Sequence, residues 1–193
     1  MRYDEILKCA EDKMRERGIL EALTLYGTET GYTRVTNYEF FKTIALKLRT
    51  IDARLADTHT RLFGCELYTP IIAGAMSNPR VGGMPDVLVS IAKGMKEAGS
   101  MMGAGIVSTS EFSKIMDARA PTYRISKPFK DRRKMVAEMK EAEAMGAVTV
   151  GTDIDFVKGG KAGHKTFFDK EMAPLASEEL ADLRKETFFA FCR

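Results

Sequence analysis

A chain of 193 residues has room for one domain with a real core, and 45% hydrophobic against 30% charged residues is a globular balance that excludes a disordered tail, a collagen-like fibre and a disulfide scaffold. Thirty basic side chains against 27 acidic ones leave +3, scattered along the chain, so nothing argues for a nucleic-acid partner. No apolar run reaches the roughly 20 residues of a membrane span, Met1-Arg2-Tyr3-Asp4-Glu5 lacks the apolar stretch of a signal peptide, and Cys9, Cys65 and Cys192 read as free thiols of a reducing cytoplasm.

Tyr3–Arg17 reads as an amphipathic helix, with Ile6, Cys9, Ala10 and Met14 on one face and Gly18 at its end. Leu20–Thr36 reads as irregular. A second helix is expected after Asn37, a good N-cap, with Phe40, Phe41, Ile44 and Leu48 as its stripe. From Thr69 the pattern becomes short apolar runs alternating with helical periodicity. The runs predict buried strands at Pro70–Ala73, Ser100–Gly103, Thr122–Ser126 and Ala147–Gly151. The helices fall at Pro85–Ala98, Ser110–Met116, Asp131–Met145 and, with Ser177 as cap, Glu178–Thr187. Strands alternating with helices mean βαβ units and a parallel sheet with right-handed crossovers. Chemistry in such sheets sits at the carboxyl ends of the strands, here Gly74–Ser77, Gly103–Gly105, Ser126-Lys127 and Gly151–Asp155. Lys158–Gly163 reads as a mobile glycine-rich loop.

Small residues at Ala73-Gly74-Ala75-Met76 and Gly103-Ala104-Gly105 allow either a flat ligand or a neighbouring element to press on the backbone. The second run is no nucleotide fingerprint, because Ser108 stands where GxGxxG needs its last glycine. Asp153 and Asp155 form an i, i+2 carboxylate pair suited to acid–base work or to a loop cap. The apolar Tyr123 and Ile125 are expected to face the helices, which turns Arg124 and Ser126 to the opposite side. A buried Arg124 would then need a carboxylate or a ligand oxygen. Lys127, Lys130, Arg132 and Arg133 read as a solvated face, and His59 as a surface or structural residue. His164 has no evident partner. Two histidines do not make a multi-His metal site, no Ser-His-Asp or Cys-His arrangement emerges, and no residue is assigned as catalytic.

Several stretches, in order, resemble one family. Thr33 and Asn37 followed by Phe41, Ile44, Leu46 and Arg49, then Asp57-Thr58-His59-Thr60-Arg61-Leu62-Phe63-Gly64, then Pro70-Ile71 with Gly74-Ala75, Ala98-Gly99-Ser100-Met101-Met102, and Gly146 through Asp153 are similar to the FMN-dependent 2-hydroxy acid oxidases and dehydrogenases, the glycolate and lactate oxidase group. The resemblance implies a (β/α)8 barrel, FMN as cofactor and a small 2-hydroxy acid as substrate. It places the flavin against the backbone of Ala73, Gly74, Ala75 and Met76. It puts a second-strand flavin contact near Gly105, Arg124 toward a flavin oxygen, and Asp153 as the orienter of a neighbour. Departures are marked: the family's N-terminal Tyr falls at Thr24, near Tyr26, and its fourth-strand Thr at Gly151. Its third-strand Gln and Tyr fall at Arg124 and Ser126, or at Ile125 and Lys127 with a shift of one residue.

The family's catalytic His, its Lys and Arg and its phosphate loops come from the fifth to eighth strands. The expectation is therefore a helical extension and hairpin over residues 1–68, then the first four βα units over 69–193: an N-terminal half-barrel, inactive alone. Phe188–Arg193 reads as out-of-frame translation where the family begins a strand. Two alternatives stay open: a non-catalytic half that self-associates or pairs with a separate C-terminal chain, or a different flavin-barrel chemistry such as an isomerase.

Overall fold

The computed structural model describes residues 2–18, 32–48, 50–77, 86–154 and 171–188. The chain divides into two compact units, residues 1–47 with 79–85 and residues 48–78 with 86–193. The glycine-rich loop, Asp155, His164, Thr24, Tyr26, Arg49, Cys192 and the tail beyond Phe188 lie outside the described residues.

In the first unit, α1 runs Tyr3–Glu16, with Asp4 and Glu5 in its first turn and Lys13 and Arg15 in its last, the arrangement that suits the helix dipole. The Glu5 carboxylate accepts from the Arg2 amide at 2.9 Å. The next helix, α2, spans Tyr32–Phe41, so its start corrects the expectation of a cap at Asn37: that residue lies inside it. Thr36 helps by donating its hydroxyl to the Tyr32 carbonyl at 3.0 Å. The chain leaves the helix through i→i−3 bonds from Lys42 and Thr43, and Ile44 and Leu48 follow as exposed residues outside it.

The second unit opens with an antiparallel hairpin, β1 (Thr60–Leu62) and β2 (Cys65–Leu67), with Leu62 opposite Cys65. Phe63 and Gly64 turn it with positive φ at both positions (48° and 79°), the two-residue geometry that matches strand twist. Three parallel strands follow in chain order: β3 (Met102–Ala104), β4 (Thr122–Ser126) and β5 (Thr149–Thr152), with Met102 opposite Thr122 and Tyr123 opposite Thr149. Before, between and after them come α3 (Val87–Glu97), α4 (Thr109–Asp117), α5 (Arg132–Ala144) and α6 (Ser177–Glu186). Ser108 caps α4 by accepting from the Glu111 amide, and Asp131 caps α5 by accepting from the Arg133 amide. Ser177, expected as a cap, is instead the first residue of α6; the carboxylate of Glu179 reaches back to the Ala176 amide at 2.8 Å and does that work.

Pro70–Ala73 does not form the buried strand expected of it. The segment runs beside β3 in the parallel sense, with the Ala73 amide on the Met101 carbonyl (3.0 Å), the Gly105 amide on the Met76 carbonyl (2.8 Å) and the Ser100 hydroxyl on the Ile71 carbonyl. Only Met76 pairs as an isolated bridge, with Ala104, and Ile71 is 73% exposed. Among the described residues no strand pairs with its outer side, so the ladder stays incomplete.

The core lies between the sheet and its helices. Leu88 and Ala92 of α3, Phe112 and Ile115 of α4, Met135, Met139 and Ala142 of α5 and Leu183 of α6 cluster on Met102, Ala104 and Val150. These helical positions repeat every three or four residues, which is why the periodicity was readable. The opposite face of the sheet carries Gly103, Tyr123, Ile125, Thr149 and Gly151, set side by side by the register.

Candidate active-site face

The facing of β4 is the reverse of the one expected from polarity. Arg124 is 4% exposed and points toward the helices. Its Nη2 donates to the Val107 carbonyl at 3.1 Å and its Nη1 to Oε2 of Glu141, on α5, at 3.4 Å. Its guanidinium carbon stands 4.8 Å from the centre of the Phe112 ring on α4. Ser126 faces the same way, donating to Glu138 of α5 at 2.9 Å. A buried arginine was thus satisfied by acid, carbonyl and aromatic partners from the helix layer. Its guanidinium is committed there and does not open onto the other side of the sheet.

The other side belongs to Tyr123 and Ile125. The Tyr123 hydroxyl crosses above Gly103 to donate to the Ala73 carbonyl at 2.9 Å. A Cβ on Gly103 would sit 2.7 Å from that carbonyl oxygen, and one on Gly105 would sit 2.8 Å from the backbone of Met76 and Ser77. Both glycines therefore serve the close approach of the chain to itself. Gly74 differs: among the described residues, a Cβ there would meet nothing within 4 Å. Ala73 packs against the core, Ala75 is half-buried and Met76 is 46% exposed. Gly151 accommodates the tip of Ile125, whose Cδ1 would lie 2.9 Å from an added Cβ.

The alternation, carried one residue past the strand ends, puts Lys127 and Asp153 on this same face. Their side chains form an ion pair, Lys127 Nζ with Asp153 Oδ2, at 13% and 31% exposure. The Asp153 amide also donates to the Ser126 carbonyl at 3.1 Å. Sequence reasoning placed Lys127 in a solvated basic cluster and passed over Tyr123 as a helix-facing residue. The small residues Gly103, opposite Tyr123, and Gly151, opposite Ile125, are the available signal for the true facing.

The rest of that cluster divides. Arg133 is exposed, whereas Arg132 ties α5 to α6 and to the segment before it. It donates to both Glu179 oxygens, at 2.9 and 3.0 Å, and to the Pro174 carbonyl at 2.7 Å. The Arg132 hydrogen bonds, then the Ala176 amide, hold the Glu179 carboxyl below its ordinary value. Phe129 bridges Met172, so residues 171–174 run against the β4–α5 turn. The Nδ1–H of His59 donates to the Asp57 carboxylate at 2.7 Å, and the ring lies edge-on to Tyr68; His59 and Asp57 are mostly exposed. That bond, first from the His59 amide and then from its ring, holds the Asp57 carboxyl below its ordinary range. Among the described residues no three His, Cys, Asp or Glu side chains gather as a metal site, and no helix is long and apolar enough to cross a membrane.

Parallel βα units with the helices packed on one face of the sheet make this an α/β protein, and its likeness to barrels of that class is seen in the superpositions below. The chain belongs to the FMN-dependent dehydrogenase family, whose profile matches residues 20–183. FMN is that family's cofactor. Among solved structures, a mandelate oxidase with 3,3-difluoro-2-hydroxy-3-phenylpropionic acid superposes with a TM-score of 0.75 at 18% identity, over 96% of this chain and 59% of that one. A mandelate oxidase variant with the monooxide FMN adduct gives 0.74 at 19% identity, over 96% and 58%. A lactate-oxidase-type protein of Pediococcus acidilactici gives 0.63 at 18% identity, over 85% and 46%. The chain therefore spans well under two thirds of the proteins it superposes on. No curated protein matches it significantly.

Proposed function

We propose that this chain is the N-terminal part of an FMN-dependent 2-hydroxy acid oxidoreductase, with residues 1–68 as the helical extension and hairpin and residues 69–193 as the first four βα units of the barrel. The observation that carries this reading is Gly74: the backbone of Ala73–Met76 runs along the sheet margin, and among the described residues nothing stands within 4 Å of where a side chain on the one glycine of the run would begin. That suits the flat ring of FMN. The same fit test removes Arg124 as a flavin partner, since its guanidinium is committed among Glu141, Val107 and Phe112. It leaves Gly105 no more than a backbone role, under Met76 and Ser77.

Bound FMN supplies a two-electron acceptor for oxidising the carbinol carbon of a 2-hydroxy acid. This chain's own residues shape the floor: Tyr123 fixes the Ala73 carbonyl, Gly74 leaves room for a ring, and Lys127 with Asp153 stand at the rim. No general base is assigned among them. The reading includes a self-associated or partnered state, because the sheet face bearing Tyr123 and Ile125 and the outer side of the Pro70–Ala73 segment are the surfaces a complete barrel closes.

Titrating FMN into the purified chain and following the flavin absorbance and fluorescence tests the placement. Retention of FMN by the parent and its loss in Gly74→Phe, with helix content unchanged, is the expected result. Equal retention by Gly74→Phe refutes the placement. The chain alone is expected to turn over no 2-hydroxy acid and to sediment as an associated species; a stable monomer across micromolar dilution refutes the second statement.

A further inference from the structure

The segment of residues 70–76 carries one residue more than the strand it runs beside. The Ala73 amide bonds the Met101 carbonyl, which sets Ala73 opposite Met102, and Met76 is bridged to Ala104. Ala73 to Met76 is three steps along the chain, whereas Met102 to Ala104 is two. Gly74 and Ala75 therefore share the place of one residue, which makes this stretch a bulge. An extra residue of this kind interrupts the ladder and bends the backbone, and bulges are over-represented beside active sites, where they re-aim the chain. On the Met76 side the bulge is closed by the Gly105 amide on the Met76 carbonyl at 2.8 Å. On the other side, the Ala73 carbonyl that leads into Gly74 takes its bond from the Tyr123 hydroxyl at 2.9 Å. That hydroxyl comes from β4, with β3 lying between. Tyr123 stands directly opposite Gly103, and only a residue without a side chain lets its ring cross β3 at that point.

Resting on the flavoprotein reading above, we propose that Tyr123 is a positioning residue for the flavin ring: its hydroxyl, acting through the Ala73 carbonyl, holds the Gly74–Ala75 bulge in the shape against which the ring lies. A tyrosine has one O–H donor, and here the carbonyl engages it. Tyr123 thus acts through the backbone. Among the described residues no strand pairs with the outer side of this segment, so the hydroxyl supplies a restraint that the sheet does not. Backbone fixed before the ligand arrives loses less freedom when it binds, and that saving appears as affinity.

Tyr123→Phe removes the hydroxyl and keeps the ring. One net hydrogen bond corresponds to about two- to tenfold in an equilibrium constant. Hydrogen exchange of the Ala73 and Gly105 amides, which flank the bulge, is expected to speed by that factor, while the Val148 amide, bonded to the Thr122 carbonyl elsewhere in the sheet, keeps its rate. FMN and lumiflavin, the bare ring, are then titrated into parent and variant and followed by flavin fluorescence. Both are expected to bind Tyr123→Phe more weakly by the same factor. Gly103→Ala, which drives a methyl group into the hydroxyl, is the second variant should Tyr123→Phe fail to fold, and it is expected to weaken both flavins likewise. Undiminished binding of both flavins by Tyr123→Phe overturns the proposal. Weaker FMN with lumiflavin unaffected overturns it as well, because the effect then lies away from the ring, and so does faster exchange at Val148, which marks a general loss of stability. Failure of the parent to bind either flavin sinks the flavoprotein reading itself, whereas parent binding that Tyr123→Phe leaves intact sinks only the role of Tyr123.

Discussion

Replacing Arg124 by alanine tests the facing of β4. The side chain is 4% exposed, and its removal takes away three things. The bond to the Val107 carbonyl at 3.1 Å is charge-assisted and worth about 1.5–3 kcal/mol. The stack on Phe112 at 4.8 Å adds about 1 kcal/mol. The packed aliphatic stem adds about 1 kcal/mol more. The pair with Glu141 contributes least, about 0.5 kcal/mol, because that carboxylate is 36% exposed and 3.4 Å away, and it keeps its bond from the Thr109 hydroxyl at 2.7 Å. Arg124→Ala is therefore expected to lose about 4 kcal/mol. Arg124→Met fills the stem's volume and strands only the Val107 carbonyl, so it loses about 1–2 kcal/mol. Urea unfolding followed by far-UV circular dichroism measures both, the chain having no tryptophan to report. An alanine variant within about 0.5 kcal/mol of the parent would contradict a helix-facing arginine.

Gly103→Ala brings a methyl group 2.7 Å from the Ala73 carbonyl oxygen and into the Tyr123 hydroxyl, so a loss of about 2 kcal/mol is expected, read by the same unfolding curve. Gly74→Ala, by contrast, meets none of the described residues and is expected to leave the unfolding midpoint where it is; a large shift there shows the position to be packed. The depressed carboxyl of Glu179 makes a pH statement: its contribution is present above the unfolded value of 4.5 and is lost as pH falls through the lower folded value. The gap in urea midpoint between the parent and Glu179→Gln is thus expected at neutral pH and closes in acid, and a gap independent of pH shows that the charge of Glu179 does not matter. Ser108→Ala removes the cap of α4 and is expected to cost about 1 kcal/mol in the same assay.

Helices were the legible part of this chain. Their bounds over Val87–Glu97, Thr109–Asp117, Arg132–Ala144 and Ser177–Glu186 lie within one or two residues of where periodicity and caps put them, because each buries one apolar stripe on a sheet. Thr122–Ser126 was found in full, but not which way it faces. Alternation gives two faces and polarity then chooses between them, and the choice failed because Arg124 meets an acid seventeen residues on, in a helix of its own unit. Tertiary partners of that kind are invisible to a local pattern. The family was legible from motif order between Thr33 and Asp153, while the Lys127–Asp153 pair was not, since neither strand announces the other's register. Asn37 misled for a simpler reason: a residue that caps well is also tolerated mid-helix when neighbouring side chains secure the turn.

The spatial order of the parallel strands equals their order in the chain, β3 beside β4 beside β5. Each new strand therefore lands on one already made, after a single helix, and no pairing waits for a distant segment. Closing such loops in series carries a modest, repeated entropic penalty in place of one large one. A polypeptide emerging from the ribosome can lay down this sheet as it is synthesised, each unit templating the next. Contacts that wait for later chain are made outside this sheet order: Arg132 reaches forward to Glu179 and Lys130 to the Glu171 carbonyl, so the β4–α5 turn is locked only once the segment ending in α6 has arrived.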